Sequence, residues 1–219
     1  MNRRIFIASF AVFLTIAFMV GVIFVRQGQS PVSSELAGVD PVSNSASLVR
    51  FHSPVIGPMN APVTVVEFFD PSCEGCRAFH PHVKQLMKKY PDHVRVVIRY
   101  VLFHSGSKQV VRMLEAARSQ GVFEPVLDAL LQEQPRWHDD PELKAAWQAA
   151  TRAGLDEKRA RREMSDPSID AILKADEVDV TEFRIKGTPT FFVNGKRLTN
   201  HTPQALLALV EQAISESAR

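Results

Sequence analysis

Both cysteines of this chain lie within four residues of each other, Cys73-Glu74-Gly75-Cys76, inside FFDPSCEGCRAFHP at Phe68–Pro81. Three chemistries use such a pair: a structural cross-link, metal ligation and reversible thiol–disulfide exchange. Residues three apart on a helix sit roughly 5–6 Å from each other, within the span a disulfide bridges. Closing so short a loop removes little entropy from the unfolded chain, which makes a staple the poorer account. His80 follows Cys76 by four residues, so Cys73, Cys76 and His80 share a helical face, with His82 nearby. Structural zinc wants four ligands, and the sequence has no second cysteine pair; copper(I) manages with two thiolates. A copper or zinc carrier using Cys73, Cys76 and His80 is therefore the alternative reading. Covalent haem needs a histidine after the second cysteine, and Arg77 stands there.

Exchange has a specific physical basis here. Only a thiolate attacks a disulfide, and the unpaired N–H groups and dipole of a helix N-terminus favour negative charge. Cys73 is the candidate nucleophile. Cys76, one turn deeper, is the candidate thiol that resolves the mixed disulfide with a substrate.

The flanking residues supply the elements that must position this pair. APVTVVEFF at Ala61–Phe69 is β-branched, aromatic and apolar nearly throughout, the pattern of a strand covered on both faces. From Cys73 the period turns helical, with Phe79, Val83, Leu86, Met87 and Tyr90 on one side until Pro91. HVRVVIRYVLF at His93–Phe103 is strand-like again, so the order implies a parallel crossover with Cys73 at the C-terminal end of the first strand. From Ser107 to about Arg184 the pattern predicts four or five short helices punctuated by Gly121, Pro135, Pro141, Gly154 and Pro167. TPTFFVNGKRL then predicts two strands turning at Asn194-Gly195. A last helix has Thr202 as N-cap, Pro203 in its first turn and Leu206, Leu209, Val210, Ala213 and Ile214 as its inner face.

Upstream of this domain, Ile5–Val25 carries nothing more polar than Ser9 and Thr15, and as a helix would be roughly 32 Å long, enough to span a bilayer. Arg3 and Arg4 precede it, which puts the N-terminus in the cytoplasm and the rest across the membrane. Residues 1–26 are thus expected to form a retained anchor, the alternative being a cleaved signal and release to the periplasm. Residues 27–50, rich in Ser, Gly and Pro, read as a flexible tether, and residues 51–219 as one domain with a helical insertion at about 105–184. Of the 26 Lys and Arg, Arg3, Arg4 and Arg26 flank the anchor; against 24 Asp and Glu the exported part is near neutral. Nucleic acid is therefore an unsuitable partner.

VVEFFDPSCEGCRAFHP, followed far downstream by GTPTFFVNGKR, resembles the thioredoxin superfamily, and the helical stretch between them resembles its DsbA-like branch. The resemblance implies a thioredoxin-like α/β fold, a central mixed sheet flanked by helices, with an inserted helical subdomain, here preceded by a transmembrane helix. It also implies a protein thiol–disulfide oxidoreductase that needs no cofactor or metal. Its partners would be exported proteins bearing thiols or disulfides and a membrane protein that resets the cysteine pair. By register, Glu67 matches the family's buried acid, which moves the proton of the buried cysteine, and Pro81 matches its helix kink. Pro189 matches its cis-proline, and Thr188 before it would pair by its backbone with the substrate chain; the Thr188 hydroxyl is also within expected reach of the Cys73 sulfur. Glu74 departs from the best-known relatives and should make Cys73 less acidic than a histidine there would. Oxidation is expected to be modestly favoured over reduction or isomerisation. Trp137, Trp147 and His104 carry no assigned chemistry.

Overall fold

The computed structural model describes residues 39–41 and 45–218; the predicted anchor, Ile5–Val25, lies outside them. Among the described residues no helix is long and apolar enough to cross a membrane.

Among the described residues six strands form one mixed sheet: β1 (Val39–Pro41), β2 (Val55–Ile56), β3 (Val63–Phe69), β4 (Val94–Tyr100), β5 (Thr190–Val193) and β6 (Lys196–Leu198), in the order β1-β6-β5-β3-β4-β2. Only β3 and β4 run parallel. They are joined by the first helix, α1 (Glu74–Lys89), which continues through Pro81 and ends beside Pro91. β3 is paired on both edges, by β4 and β5, and buried side chains pack on both of its faces, as its apolar sequence requires. Two strands escape periodicity analysis because they are so short. β2 pairs two residues with β4, and β1 lies inside the stretch read as tether, where it adds an antiparallel edge to β6.

Side chains alternate across a strand, and that parity decides which buried charges lie on which face. Val65 and Phe69 point to the front, with Val94, Val96, Ile98 and Tyr100 of β4; Val66, Phe68 and Val97 point to the back. Glu67 shares the front parity and Arg99 the back one. A one-residue slip in either strand would exchange them.

Six helices occupy the stretch predicted to hold four or five: α2 (Ser107–Ser119), α3 (Phe123–Gln132), α4 (Gln134–Trp137), α5 (Lys144–Arg152), α6 (Glu157–Glu163) and α7 (Pro167–Glu182). The extra one, α4, is a single turn, too brief to show a helical period. The apolar stripes of α2, α3 and α5 share a continuous core with the front of the sheet. α7 instead packs on β4 from the back, near the Phe68, Phe183 and Phe192 rings. The final helix, α8 (Pro203–Ser217), begins as predicted, with Thr202 Oγ1 accepting from the Ala205 N–H at 3.2 Å. β5 and β6 turn at Asn194-Gly195, where both residues have positive φ, the backbone that a two-residue hairpin of this twist demands.

Candidate active site

β3 ends at Phe69, and the three residues Asp70-Pro71-Ser72 carry the chain to the start of α1. Cys73 is the N-cap, with extended backbone (φ −78°, ψ 123°), and its N–H bonds the Asp70 carbonyl at 3.1 Å. Its own carbonyl accepts from the Arg77 N–H, opening the helix. Cys73 thus sits at the mouth of the helix, where orphan N–H groups converge. Cys76 is one turn inside. The sulfur-bearing residues differ in access: Cys73 is 8% exposed and Cys76 fully buried. Both are free thiols.

Facing Cys73 is the loop before β5. The Thr188–Pro189 peptide bond is cis, and the Thr188 carbonyl accepts from the Cys73 thiol at 3.2 Å. The contact expected from the Thr188 hydroxyl is thus made by its main chain, and the hydroxyl itself is buried without a hydrogen-bond partner. Gly75 explains itself by this approach: a Cβ there would meet the Thr188 carbonyl oxygen at 3.2 Å, and Cys73 Sγ and Pro189 Cδ at 3.4 Å.

The two thiols are driven apart in acidity. A hydrogen bond from the Cys76 side chain is the main influence holding Cys73 down to about 5, against the cost of its partial burial, with help from Thr188 and from the backbone of Cys76 and Gly75. Glu74 is not among the leading influences. Cys76 is pushed far up by burial first, then by its bond to Cys73 and the nearby Glu67 charge. Glu67, 3% exposed on the front of β3, has its carboxyl raised by desolvation to about 8. An acid in that range can exchange a proton near neutral pH. Of the residues predicted from scattered positions, Thr188 and Pro189 thus lie against the Cys73–Gly75 turn, and Glu67 is close enough to Cys76 for its charge to act on that thiol.

His80 does not join them. Its Nε2 lies 2.7 Å from Asp128 Oδ1 on α3, and Lys84 pairs with the other carboxylate oxygen. The alternative reading, a metal carrier using Cys73, Cys76 and His80, gains no support from this arrangement. Among the described residues no cluster of three His, Cys, Asp or Glu side chains is placed to hold a metal.

Two residues that sequence reasoning passed over lock the cysteine loop. Asp70 is fully buried and accepts from the Ser72 N–H (2.9 Å), the Phe103 N–H (2.8 Å) and the Ser107 hydroxyl (2.6 Å). His104 Nδ1 lies 2.8 Å from the same carboxylate. Burial lowers the His104 pKa, but Asp70, with smaller contributions from Cys73 and Glu74, raises it overall. Gln134, fully buried on α4, donates to the Pro71 carbonyl at 2.8 Å and the Cys73 carbonyl at 3.0 Å, while accepting from Arg77 Nε. Asp-Pro before the cysteines is a turn signal that could have pointed to Asp70. Nothing local marks Gln134, since its partners are 61 and 63 residues away.

A family profile described as Thioredoxin matches residues 51–212. The chain belongs to the thioredoxin family. This thioredoxin-family chain is 36% identical over 168 residues to the Na(+)/H(+) antiporter NhaA 3 of Salinispora tropica, a match that takes in 75% of the chain and 24% of the antiporter. It is 27% identical over 171 residues to a Rickettsia bellii protein provisionally named a protein-disulfide oxidoreductase, covering 74% of the chain and 65% of that protein. The chain therefore spans about a quarter of the antiporter and just under two thirds of the Rickettsia protein. Among solved structures, α-DsbA1 of Wolbachia pipientis superposes with a TM-score of 0.71 at 15% identity, covering 81% of the chain and 98% of the other, a likeness of fold.

Proposed function

We propose that this thioredoxin-family protein is a DsbA-like thiol–disulfide oxidoreductase that exchanges disulfides with exported proteins through Cys73 and Cys76. One observation carries the reading: of two adjacent thiols, the more accessible is held down to about 5 and the buried one is driven up. Only such a pair gives a nucleophile at neutral pH together with a second thiol that reacts after its partner is engaged.

In the oxidising direction a substrate thiolate attacks the Cys73 sulfur of the Cys73–Cys76 disulfide, forming a mixed disulfide and releasing Cys76, which takes a proton from Glu67. A second substrate thiolate then attacks the substrate sulfur of the mixed disulfide; the substrate disulfide forms and Cys73 leaves as its thiolate. Two electrons pass from substrate to the cysteine pair. In the reducing direction the same steps run backwards, with Glu67 as the base that deprotonates Cys76. A thiolate that is stable when reduced makes the disulfide a better oxidant, so the acidity of Cys73 favours oxidation. The substrate chain would lie along Thr188, adding main-chain hydrogen bonds beside the cis peptide.

The apolar run Ile5–Val25 supports a membrane tether with the catalytic domain on the extracytoplasmic side, where a membrane redox protein would reset the cysteines. The likeness to a protein-disulfide oxidoreductase in Rickettsia bellii supports the same chemistry. Trapping tests it. With Cys76→Ser, mixed disulfides with exported proteins accumulate on Cys73, and with Cys73→Ser none form. Exchange persisting in Cys73→Ser would overturn the reading, and an equilibrium with glutathione near the cytosolic poise would overturn the oxidase preference.

A further inference from the structure

Glu67 has a problem of access. If it exchanges a proton with Cys76 at each turnover, that proton must also reach solvent, yet the carboxyl lies under α1 on a central strand. A cavity of about 120 Å³ with Glu67 in its wall answers this. Ile56, Phe69, Val83, Met87 and Ile98 give it an apolar lining, and His80, Lys84, Glu124 and Asp128 share it, with His80 and Lys84 both paired to Asp128. The Lys84 and Asp128 side chains are 53% and 38% exposed, so this polar group reaches solvent. The volume is enough for several waters, which need polar partners at both ends to be held.

We propose that His80, held by Asp128, is the group through which Glu67 exchanges protons with solvent along this cavity. The inference rests on the redox reading above and assigns His80 the part of a relay rather than a metal ligand. Asp128 stays ionised: burial opposes this, but Lys84 and His80 together hold its pKa below the ordinary carboxylate value. With Nε2 bonded to that carboxylate, the lone pair of the neutral ring is on Nδ1, which can take a proton and pass Nε2–H onward. The charged and titratable groups around the path are Cys76, His80 and Lys84 on α1 and Glu124 and Asp128 on α3. When the protein reduces a substrate, Cys76 gives its proton to Glu67 and its thiolate attacks Cys73. The Cys73–substrate bond breaks as the internal disulfide forms. The proton on Glu67 then leaves through water to His80 and bulk. In the oxidising direction the same proton enters by the same route. The inserted helical subdomain, by supplying Glu124, Leu127 and Asp128, builds the wall and the outer end of this path.

Imidazole rescue separates a relay from a structural contact. In the full-length chain, single-turnover disulfide exchange with a thiol peptide is measured from pH 6 to 9 for wild type, His80→Ala, His80→Gln and Glu67→Gln. Both His80 variants should slow the Cys76-dependent step by about tenfold in weak buffer. Millimolar imidazole should restore most of the rate in His80→Ala but do nothing in His80→Ala combined with Glu67→Gln. Wild-type rates in the His80 variants, or a slowing that imidazole leaves unchanged, would overturn the relay. Either result would leave the exchange reading standing, because that reading is tested separately, by whether Cys73→Ser retains activity.

Discussion

The two faces of the sheet bury charge in opposite ways. On the front, Glu67 lies among apolar walls, and desolvation alone lifts its carboxyl to about 8. On the back, Arg99 is fully buried and donates to Asp176 Oδ1 from both Nε (2.9 Å) and Nη2 (2.8 Å), and to Asp179. Arg50 bonds Asp179 through two nitrogens at 2.6 and 2.8 Å, His52 meets Asp176 at 3.0 Å, and the Tyr100 N–H donates to the remaining Asp176 oxygen. Burial works against ionised Asp179, yet Arg50 and Arg99 still hold its pKa below the ordinary value. A buried charge with this many partners is fixed and ties β4, α7 and the segment around Arg50 together. A buried carboxyl without a counter-charge titrates where biology operates. The same residue chemistry serves architecture on one side and proton transfer on the other, and the number of partners makes the difference.

Breaking the back network should have the largest effect on stability. Arg99→Met leaves Asp176 and Asp179 without their central counter-charge, and chemical denaturation should show a loss of about 3–5 kcal/mol. The exchange rate per folded molecule should not change.

On the front the sign reverses. Glu67 has a folded pKa of about 8 against an ordinary 4.5, so the folded state keeps a proton that the unfolded chain releases. Stability from this group falls as pH rises between those values, by up to about 1.4 kcal/mol per unit. Glu67→Gln removes that slope and should make the protein more stable than wild type at pH 8 by a few kcal/mol, while slowing exchange. Denaturant midpoints measured from pH 4 to 9 test both halves of the statement.

Redox state should modulate the slope. Cys73 has a folded value of about 5 against 9.0, so in the reduced protein the unfolded chain holds the extra proton. That contribution is fully present above pH 9, and it is lost as pH falls through 5. Oxidised protein should therefore show the decline from Glu67, whereas reduced protein should show it largely cancelled between pH 5 and 8. Parallel denaturation curves for the two forms across that window would contradict the assignment.

Smaller effects belong to the loop that carries the cysteines. Gln134→Ala leaves the buried Pro71 and Cys73 carbonyls without that donor and should cost about 1–3 kcal/mol, read as a lowered melting point. Gly75→Ala should be milder, within about 1 kcal/mol, but should weaken substrate binding, because its methyl presses on the Thr188 carbonyl.

What could be read from sequence follows the range of the interactions. β3, α1 and β4 announce themselves because apolar runs and helical spacing are local, and the Asn194-Gly195 turn and the Thr202 cap are signals of two to four residues. Cys73 and Cys76 were legible by spacing, while Glu67, Thr188 and Pro189 came only through family resemblance, since nothing local says what a strand acid or an X-Pro bond will face. β1, β2 and α4 were missed because two to four residues carry no period. Asp70, Gln134 and the Arg99–Asp176–Asp179 network depend on partners about 30 to 80 residues apart, which only the folded chain brings together. His80 stands out in sequence only by its place one turn past Cys76, and its partner Asp128, 48 residues on, is visible only in the folded chain.

The most direct test of the account is the pH dependence of alkylation at Cys73 in the reduced protein, followed by mass spectrometry of the labelled peptide. The account predicts a midpoint near 5, with Cys76 unlabelled throughout. A midpoint near 9, the value of an ordinary thiol, would contradict it.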